Sequence, residues 1–337
     1  MIYCYRLFGQ VVRSNGQAPG LVPVDASTGA SAGAVLAVLG PQPEMAPVDE
    51  LSGWVRVPQR VEHANGPHVW RRDSEGGMEL RLRLSHPATG GMLEFQVDAR
   101  TDHVQALWDR PVAPADLWPI WTAMVLPYLL RRRGLLCLHA AVVALGAGVV
   151  AIAGVKGAGK STTTLALLQR GGRLFADDMA ALSAGPSGLE AWPGPGRLHL
   201  RPDVAATLVG VPETLPLAVS VFDKRLAPVE APGDAAAPLR GVFLLEERTP
   251  ARRAPALERV PPAEALALLA SHRSAPHFPM SREDAVREFV HLGKLVSTTP
   301  VWRLQRSDRL EQLPQICALI ESAILPEAAT SRPQPSP

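Results

Sequence analysis

Cysteine and lysine are scarce in this sequence of 337 residues. The three cysteines, Cys4, Cys137 and Cys317, lie far apart and form no Cys-x-x-Cys or Cys/His cluster. Their spacing argues against a zinc site, and their odd number argues against the disulfide framework of a small secreted protein. Only four of the 34 basic residues are lysines. Two of the four, Lys156 and Lys160, share one glycine-rich segment, which is the first indication of function.

An excess of charge of either sign is also missing. The formal net charge is +2, 47% of the residues are hydrophobic and 20% are charged. These values are typical of a soluble globular protein, and the length allows about two domains. They exclude a disordered chain, a collagen-like fibre and a protein that binds nucleic acid mainly by charge. We therefore expect no nucleic-acid partner.

The first ten residues, MIYCYRLFGQ, lack a basic region followed by an apolar region and a small-residue cleavage site. We therefore expect no export and a cytoplasmic protein. The apolar run over residues 134–154 follows three arginines and is about long enough to span a bilayer. We favour two buried strands instead, because glycines bound the short apolar runs and the second run leads into a phosphate loop. We expect no membrane partner.

The pattern of apolar runs and turn residues along the chain predicts an α/β protein of four segments. They are a β-rich N-terminal domain (1–115), a connecting apolar helix (116–133), a domain that contains the glycine-rich segment (134–325) and a disordered tail (326–337). Strands are predicted at residues 1–13, 69–72, 78–85 and 92–98, and a long loop at residues 16–47.

The connecting segment is apolar and ends in three arginines, which suit a helix C-terminus. Pro127 is predicted to kink this helix. Its aromatic side chains, Trp118, Trp121 and Tyr128, are expected to pack the domain junction rather than bind a ligand.

Residues 154–161 read GVKGAGKS, a full match to the GxxxxGK[ST] phosphate loop between a candidate strand and a candidate helix. Backbone N–H groups of such a loop surround phosphates, and the helix dipole favours them. Lys160 is expected to reach the β- and γ-phosphates, and the Ser161 hydroxyl to bind Mg²⁺, so the predicted cofactors are ATP and Mg²⁺. The predicted nucleotide contacts are Gly154, Val155, Lys156, Gly157, Ala158, Gly159, Lys160, Ser161 and Thr162.

Two adjacent carboxylates, Asp177 and Asp178, follow a short apolar run. Adjacent carboxylates are usually a solvated turn, but a strand end near a phosphate loop is where a Mg²⁺ ligand or a general base belongs. His139 lies one candidate strand before the loop. Taken alone, it would be a packed strand histidine more often than a functional one.

The order of histidine, phosphate loop and acidic pair resembles the HPr kinase/phosphorylase family. The resemblance is carried by LLCLHAAVV, GVKGAGKST and LLQRGGRLFADDMAAL, and it covers residues 134–185. It implies a kinase domain of that fold in which His139 is the active-site histidine. It also implies that Asp178 is the general base toward a serine hydroxyl and that Asp177 assists the metal; the reverse assignment of the two aspartates stays open.

Beyond residue 185 the resemblance weakens, because the family's glycine-rich signature is replaced by LEAWPGPGRLHLRPD. Glu190 could be a second Mg²⁺ ligand or a solvated loop residue. The PGPGRLHL form is similar to HPr-kinase-like proteins encoded with lasso-peptide biosynthesis, which implies phosphorylation of a precursor peptide. Arg197 and Arg225 are candidates to bind phosphate or a peptide carboxylate, with surface solvation as the alternative for each.

We therefore expect an ATP- and Mg²⁺-dependent serine kinase whose partner is a peptide or small protein, with a lasso-peptide precursor phosphorylated near its C-terminus as the first candidate. The alternatives are an HPr-type kinase/phosphorylase, a small-molecule kinase of the phosphoenolpyruvate-carboxykinase type, and a nucleotide-binding regulatory module without phosphoryl transfer. The oligomeric state stays open, a homo-oligomer included.

Overall fold

A computed structural model gives the fold of this chain. It describes residues 1–25, 35–41, 52–58, 67–86, 89–200, 217–219, 222–228 and 233–324, of which 35–41, 217–219 and 222–228 are described as backbone alone. The chain is a mixed α/β protein: one sheet precedes a helical connection, and a second sheet with most of the helices follows it. The predicted tail at 326–337 lies outside the described residues.

The first sheet has eight strands in the spatial order β1-β2-β3-β8-β7-β6-β5-β4. Its strands are β1 (Tyr3–Leu7), β2 (Gln10–Ser14), β3 (Val35–Pro41), β4 (Val55–Arg56), β5 (His68–Ser74), β6 (Gly77–Ser85), β7 (Met92–Val97) and β8 (His103–Trp108). Strand β3 pairs in parallel with both β2 and β8, and the other neighbours are antiparallel. The strands predicted at 69–72, 78–85 and 92–98 are confirmed.

Two predictions for this sheet were wrong. Residues 1–13 are not one strand, because Phe8 and Gly9 adopt φ of 51° and 73° and form a two-residue turn between β1 and β2. Both turn residues need positive φ, which a phenylalanine does not signal. The loop predicted over 16–47 contains strand β3, whose place between β2 and β8 depends on pairing with distant residues rather than on its own composition.

The connection consists of α1 (Pro114–Ile120), a π-helical turn (Trp121–Val125) and α2 (Leu126–Arg132). Pro127 lies in the first turn of α2, directly after the π-helical turn, so the helix is irregular where the kink is predicted. The three aromatic residues expected at the junction are buried. Trp118 packs edge-to-face on Tyr5 of the first sheet at 5.6 Å between ring centroids, and Tyr128 lies 5.3 Å from Phe278 of the second half.

The second sheet has nine strands. They are β9 (Leu136–Leu138), β10 (Ala140–Leu145), β11 (Gly148–Gly154), β12 (Arg173–Ala176), β13 (Ala180–Gly185), β14 (Gly188–Trp192), β18 (Ala237–Leu245), β19 (Ala256–Arg259) and β20 (Val301–Gln305). A small separate sheet contains β15 (Arg197–Leu200), β16 (Leu217–Val219) and β17 (Phe222–Pro228). The helices are α3 (Lys160–Gln169), α4 (Pro262–Ser271), α5 (Arg282–Thr298) and α6 (Leu313–Ile324), with a 3₁₀ turn at Leu310–Gln312.

The apolar run over residues 134–154 forms buried strands, as predicted, but three rather than two, because the first predicted strand is broken at His139 into β9 and β10, and β11 follows. Its side chains alternate between two cores: Val142 and Val149 join the core shared with the first sheet, whereas Val143 and Val150 join a second core under α3 and α6. A strand covered on both faces reads as a continuous hydrophobic run. Within the described part of the chain, no helix has the length and hydropathy needed to cross a bilayer.

Four strands of the second sheet end at the same edge. Strands β11, β18 and β20 are parallel neighbours, and β10 pairs antiparallel with both β11 and β12. Strand β12 therefore runs in the direction of β11. The segments that follow Gly154, Ala176, Leu245 and Gln305 all leave the sheet on one side, which is where α/β folds bind ligands.

A buried ion pair network joins the connection to the last third of the chain. Arg131 of α2 makes two hydrogen bonds to Glu288 of α5, at 2.7 and 3.0 Å, and Arg273 donates a third at 2.8 Å. Glu288 is 5% exposed. Burial alone would raise the pKa of Glu288, but the hydrogen bonds and charges of the two arginines lower it below its usual value.

We expect Glu288→Gln to lower the free energy of unfolding by about 3 kcal/mol, because it leaves buried guanidinium charge without a counter-ion. The carboxylate's contribution is complete above its unfolded pKa of 4.5 and is lost as pH falls through the lower folded value. Denaturant unfolding should therefore show a difference in the free energy of unfolding between the wild type and the variant, and this difference should become smaller in acid. Glu283→Gln, an exposed change on the same helix, is the control. An equal effect of both variants would contradict this account.

Candidate functional site

The predicted phosphate loop lies between β11 and α3. Gly157 and Gly159 adopt φ of 84° and 95° and reverse the chain, so that α3 begins at Lys160. Ala158 is buried beneath the turn, whereas Val155 and Lys156 are exposed on it, and Ser161 and Thr162 lie half-buried in the first turn of α3. The predicted nucleotide contacts thus form one continuous strand–loop–helix turn.

Lys160 points back into this loop. Its ammonium group is buried and donates hydrogen bonds to the carbonyl oxygens of Gly154 at 2.8 Å and Val155 at 3.4 Å. These are neutral acceptors, so a phosphate oxygen would be a stronger partner for the charge.

The acidic pair follows β12 at the same edge. Asp177 is 8% exposed, and its Oδ2 accepts a 2.7 Å hydrogen bond from the backbone N–H of His199 and lies 3.0 Å from His199 Nδ1. The Asp178 side chain is 40% exposed, and its Oδ2 lies 3.5 Å from the same nitrogen. Asp177 is thus the more buried and more closely held of the two carboxylates, and Asp178 is the more exposed.

His139 occupies the break between β9 and β10 and is anchored from two sides. Its backbone N–H donates to the backbone carbonyl of His272 at 2.7 Å, and its ring Nδ1 lies 2.9 Å from the backbone carbonyl oxygen of Asp178. A carbonyl can only accept, so Nδ1 carries the proton and Nε2 is the acceptor of the neutral ring. Asp178 has a φ of 60°.

The spacing of the strands relates the acidic pair to the phosphate loop. Strand β10 lies between β12 and β11, so the ends of these two strands are separated by two strand spacings, roughly 10 Å. His139 directly precedes β10. The predicted histidine, aspartates and phosphate loop are therefore brought to one edge of the sheet.

His199 is a site residue that the sequence analysis missed. Ligand atoms of Asp177, Asp178 and His199 lie within 4.8 Å of one another, close enough to hold a metal ion. The carboxylates suit Mg²⁺, which prefers oxygen ligands, and His199 then holds Asp177 rather than binding the ion itself. The sequence signal near His199 is the alternation of polar and apolar residues in RLHL. That alternation is typical of a strand, but it does not indicate which residues His199 would contact.

Glu190 does not join this group of ligands among the described residues. It lies on β14, paired with Ser183 of β13, and its carboxyl group packs over Gly185. The prediction of Glu190 as a Mg²⁺ ligand is therefore not supported by its position.

The two predicted substrate arginines have different outcomes. Arg197 is buried, and its Nη1 donates to the carbonyl of Pro19 in the N-terminal half at 3.0 Å. Burial lowers the pKa of Arg197, and the negative charge of Asp177 opposes that effect. Arg225 lies on β17 opposite Leu200, and its side chain is outside the described part of the structure. A substrate role for either residue stays a prediction.

No protein-family model and no curated protein matches this chain. Among solved structures, it is similar to the HPr(Ser) kinase/phosphatase from Coxiella burnetii at 15% identity, with a TM-score of 0.28. The match covers 55% of this chain and 94% of that one. At this TM-score the two backbones agree too little for the activity of that protein to be transferred to this chain.

We expect His199→Ala to weaken Mn²⁺ binding by about 10-fold in the nucleotide-free protein, because Asp177 loses the imidazole that fixes its carboxylate. Calorimetric titration would measure the affinity. His103→Ala, on an exposed position of β8, is the matched control. If Asp177→Asn abolishes binding while His199→Ala leaves it unchanged, His199 has no part in holding the ion.

Proposed function

We propose that this protein is an ATP- and Mg²⁺-dependent kinase that phosphorylates a serine hydroxyl in a peptide or small protein. The observation that carries the proposal is the convergence of the phosphate loop, His139 and the acidic pair on one edge of the second sheet. A nucleotide-binding module without transfer has no need of an exposed carboxylate beside a histidine at that edge. The sequence resemblance to HPr kinases supports the same reading.

In this proposal the phosphates of ATP lie against the backbone N–H groups of residues 155–161 and the N-terminus of α3. Lys160 leaves the carbonyl of Gly154 and pairs with the terminal phosphates. The Ser161 hydroxyl and the Asp177 carboxylate would hold Mg²⁺, which neutralises charge on the transferred group when it is bound. Asp177 suits this role because His199 fixes its direction.

The acceptor hydroxyl is a poor nucleophile near neutral pH, so a carboxylate must take its proton. Asp178 is the more exposed of the two acids and is assigned as this base. The serine oxygen forms a bond to the γ-phosphorus, the bond from that phosphorus to the β–γ bridging oxygen breaks, and ADP leaves with the electron pair. His139, with Nδ1 held by the Asp178 carbonyl, presents Nε2 toward the acceptor or the phosphate.

We expect Asp178→Asn to lower kcat by roughly 100-fold, because the amide cannot accept the serine proton, while ATP affinity changes less than about 2-fold. Steady-state transfer of labelled phosphate and calorimetry would separate the two effects. Lys160→Ala is the contrasting variant and should lose both transfer and tight ATP binding. Should Asp177→Asn behave as predicted for Asp178→Asn, with Asp178→Asn altering the Mg²⁺ dependence, the two roles are reversed.

The acceptor is proposed to be an extended peptide, with a lasso-peptide precursor as the first candidate. The N-terminal sheet supports this, because its Phe8–Gly9 turn contacts the segment that leads to β15 and His199: Phe8 N–H donates to the carbonyl of Pro193 at 2.9 Å. The outer edge of β1 already forms a backbone hydrogen bond with a later residue of this chain: Val24 N–H donates to the carbonyl of Cys4 at 2.8 Å. A bound peptide could pair along the same edge.

Incubation with ATP, Mg²⁺ and a candidate precursor peptide should add the mass of one HPO₃ group, about 80 Da, and fragmentation should place it on a serine near the C-terminus. HPr offered in parallel distinguishes the main alternative. Phosphate on HPr and not on the peptide would make the protein an HPr-type kinase. Phosphate on neither, with ATP still bound, would favour the regulatory module.

A further inference from the structure

Two arginines follow the strands on the side of the phosphate loop away from the acidic pair. Arg248 lies three residues beyond the end of β18, and Arg306 lies one residue beyond the end of β20. Both strands run parallel to β11, so both arginines leave the sheet at the edge where the phosphate loop begins. No motif distinguishes these two residues from the other arginines of the sequence.

Both guanidinium groups reach the end of the loop at Gly159. A Cβ atom added to Gly159 would lie 3.0 Å from Nη2 of Arg248 and 3.5 Å from Nη2 of Arg306. Arg248 Nη2 also contacts the carbonyl oxygen of Gly157 at 3.4 Å, and Arg306 Nη1 donates to the carbonyl of Glu246 at 2.9 Å. The two charges therefore meet over the N-terminus of α3.

The buried position of Arg306 is unfavourable for its charged side chain. It is 4% exposed, and its Nη2 is buried with no hydrogen-bond partner. Burial and, to a smaller extent, the charge of Arg248 lower the pKa of Arg306 to about 10. No carboxylate among the described residues compensates for this. A buried, unpaired donor beside a second cation at a helix N-terminus is an arrangement that an anionic ligand would stabilise.

We propose that Arg248 and Arg306 form an anion site at Gly159 that binds the phosphate oxygens of a polyphosphate. The planar fork of each guanidinium matches two phosphate oxygens, and backbone N–H groups of the loop lie beside them. The ligand is taken as the nucleotide's own phosphate chain, a choice that rests on the proposed kinase function; inorganic pyrophosphate offers the same chemistry. The two arginines would then supply positive charge on the face of the phosphates opposite Asp177 and Asp178.

Calorimetric titration with ATP and with pyrophosphate, both in EDTA, tests the site without a metal ion. We expect Arg306→Gln and Arg248→Gln each to weaken both ligands by at least about 10-fold, the effect of losing a charge-assisted hydrogen bond pair. Arg253→Gln removes an exposed charge from the segment between β18 and β19, which also contains Arg248, and should change neither affinity. Because Arg306 is buried, thermal unfolding of its variant is measured as well; Arg248 is exposed, so its variant tests the site independently of folding.

The outcomes separate the site from the proposed kinase. If Lys160→Ala abolishes ATP binding while both arginine variants bind ATP and pyrophosphate as the wild type does, the anion site is overturned and the kinase proposal stands. If pyrophosphate binds in an arginine-dependent manner and ATP binds neither in EDTA nor with Mg²⁺, the anion site stands and the kinase proposal falls. Failure of the wild type to bind either ligand, in EDTA and with Mg²⁺, overturns both.

Discussion

The parallel pairing of β11 with β18 is the constraint on which the site depends. It sets Gly154 beside Leu245, and a Cβ on Gly154 would meet the Leu245 carbonyl oxygen at 3.0 Å. Because β20 continues the parallel set and β10 returns antiparallel to β12, every segment that could contact a ligand leaves the same edge. The acidic pair, the phosphate loop and the two arginines are therefore neighbours although they are far apart in the chain.

Arg131 of the connection and the segment after α4 contact the backbone around His139. Arg131 also donates to the carbonyl of Ala275 at 2.6 Å, and Arg273 forms a bridge with Leu138. These contacts fix the backbone next to His272, whose carbonyl accepts the N–H of His139. The buried ion pair network is therefore joined to the backbone that contacts His139 by a continuous series of contacts.

The parts of the site that the sequence predicted are those encoded locally. One continuous segment contains the phosphate loop with its strand and helix, and another contains the acidic pair. The glycines, apolar runs and charges within each segment predict its conformation. His199, Arg248 and Arg306 could not be predicted, because their roles come from strands that meet only in the folded sheet. The position of Glu190 likewise comes from strand pairing, since the pairing of β14 with β13 sets its side chain beside Gly185; its role as a Mg²⁺ ligand stays a prediction.

The charges around the loop differ between its two sides. On one side the carboxylates of Asp177 and Asp178 repel phosphate unless a cation lies between them, which ties their use to metal. On the other side Arg306 has an unpaired buried donor, and the hydrogen bonds of Lys160 to Gly154 and Val155 have neutral carbonyl acceptors. An anion at the proposed site would give both cations a charged partner, so the loop is suited to negative charge.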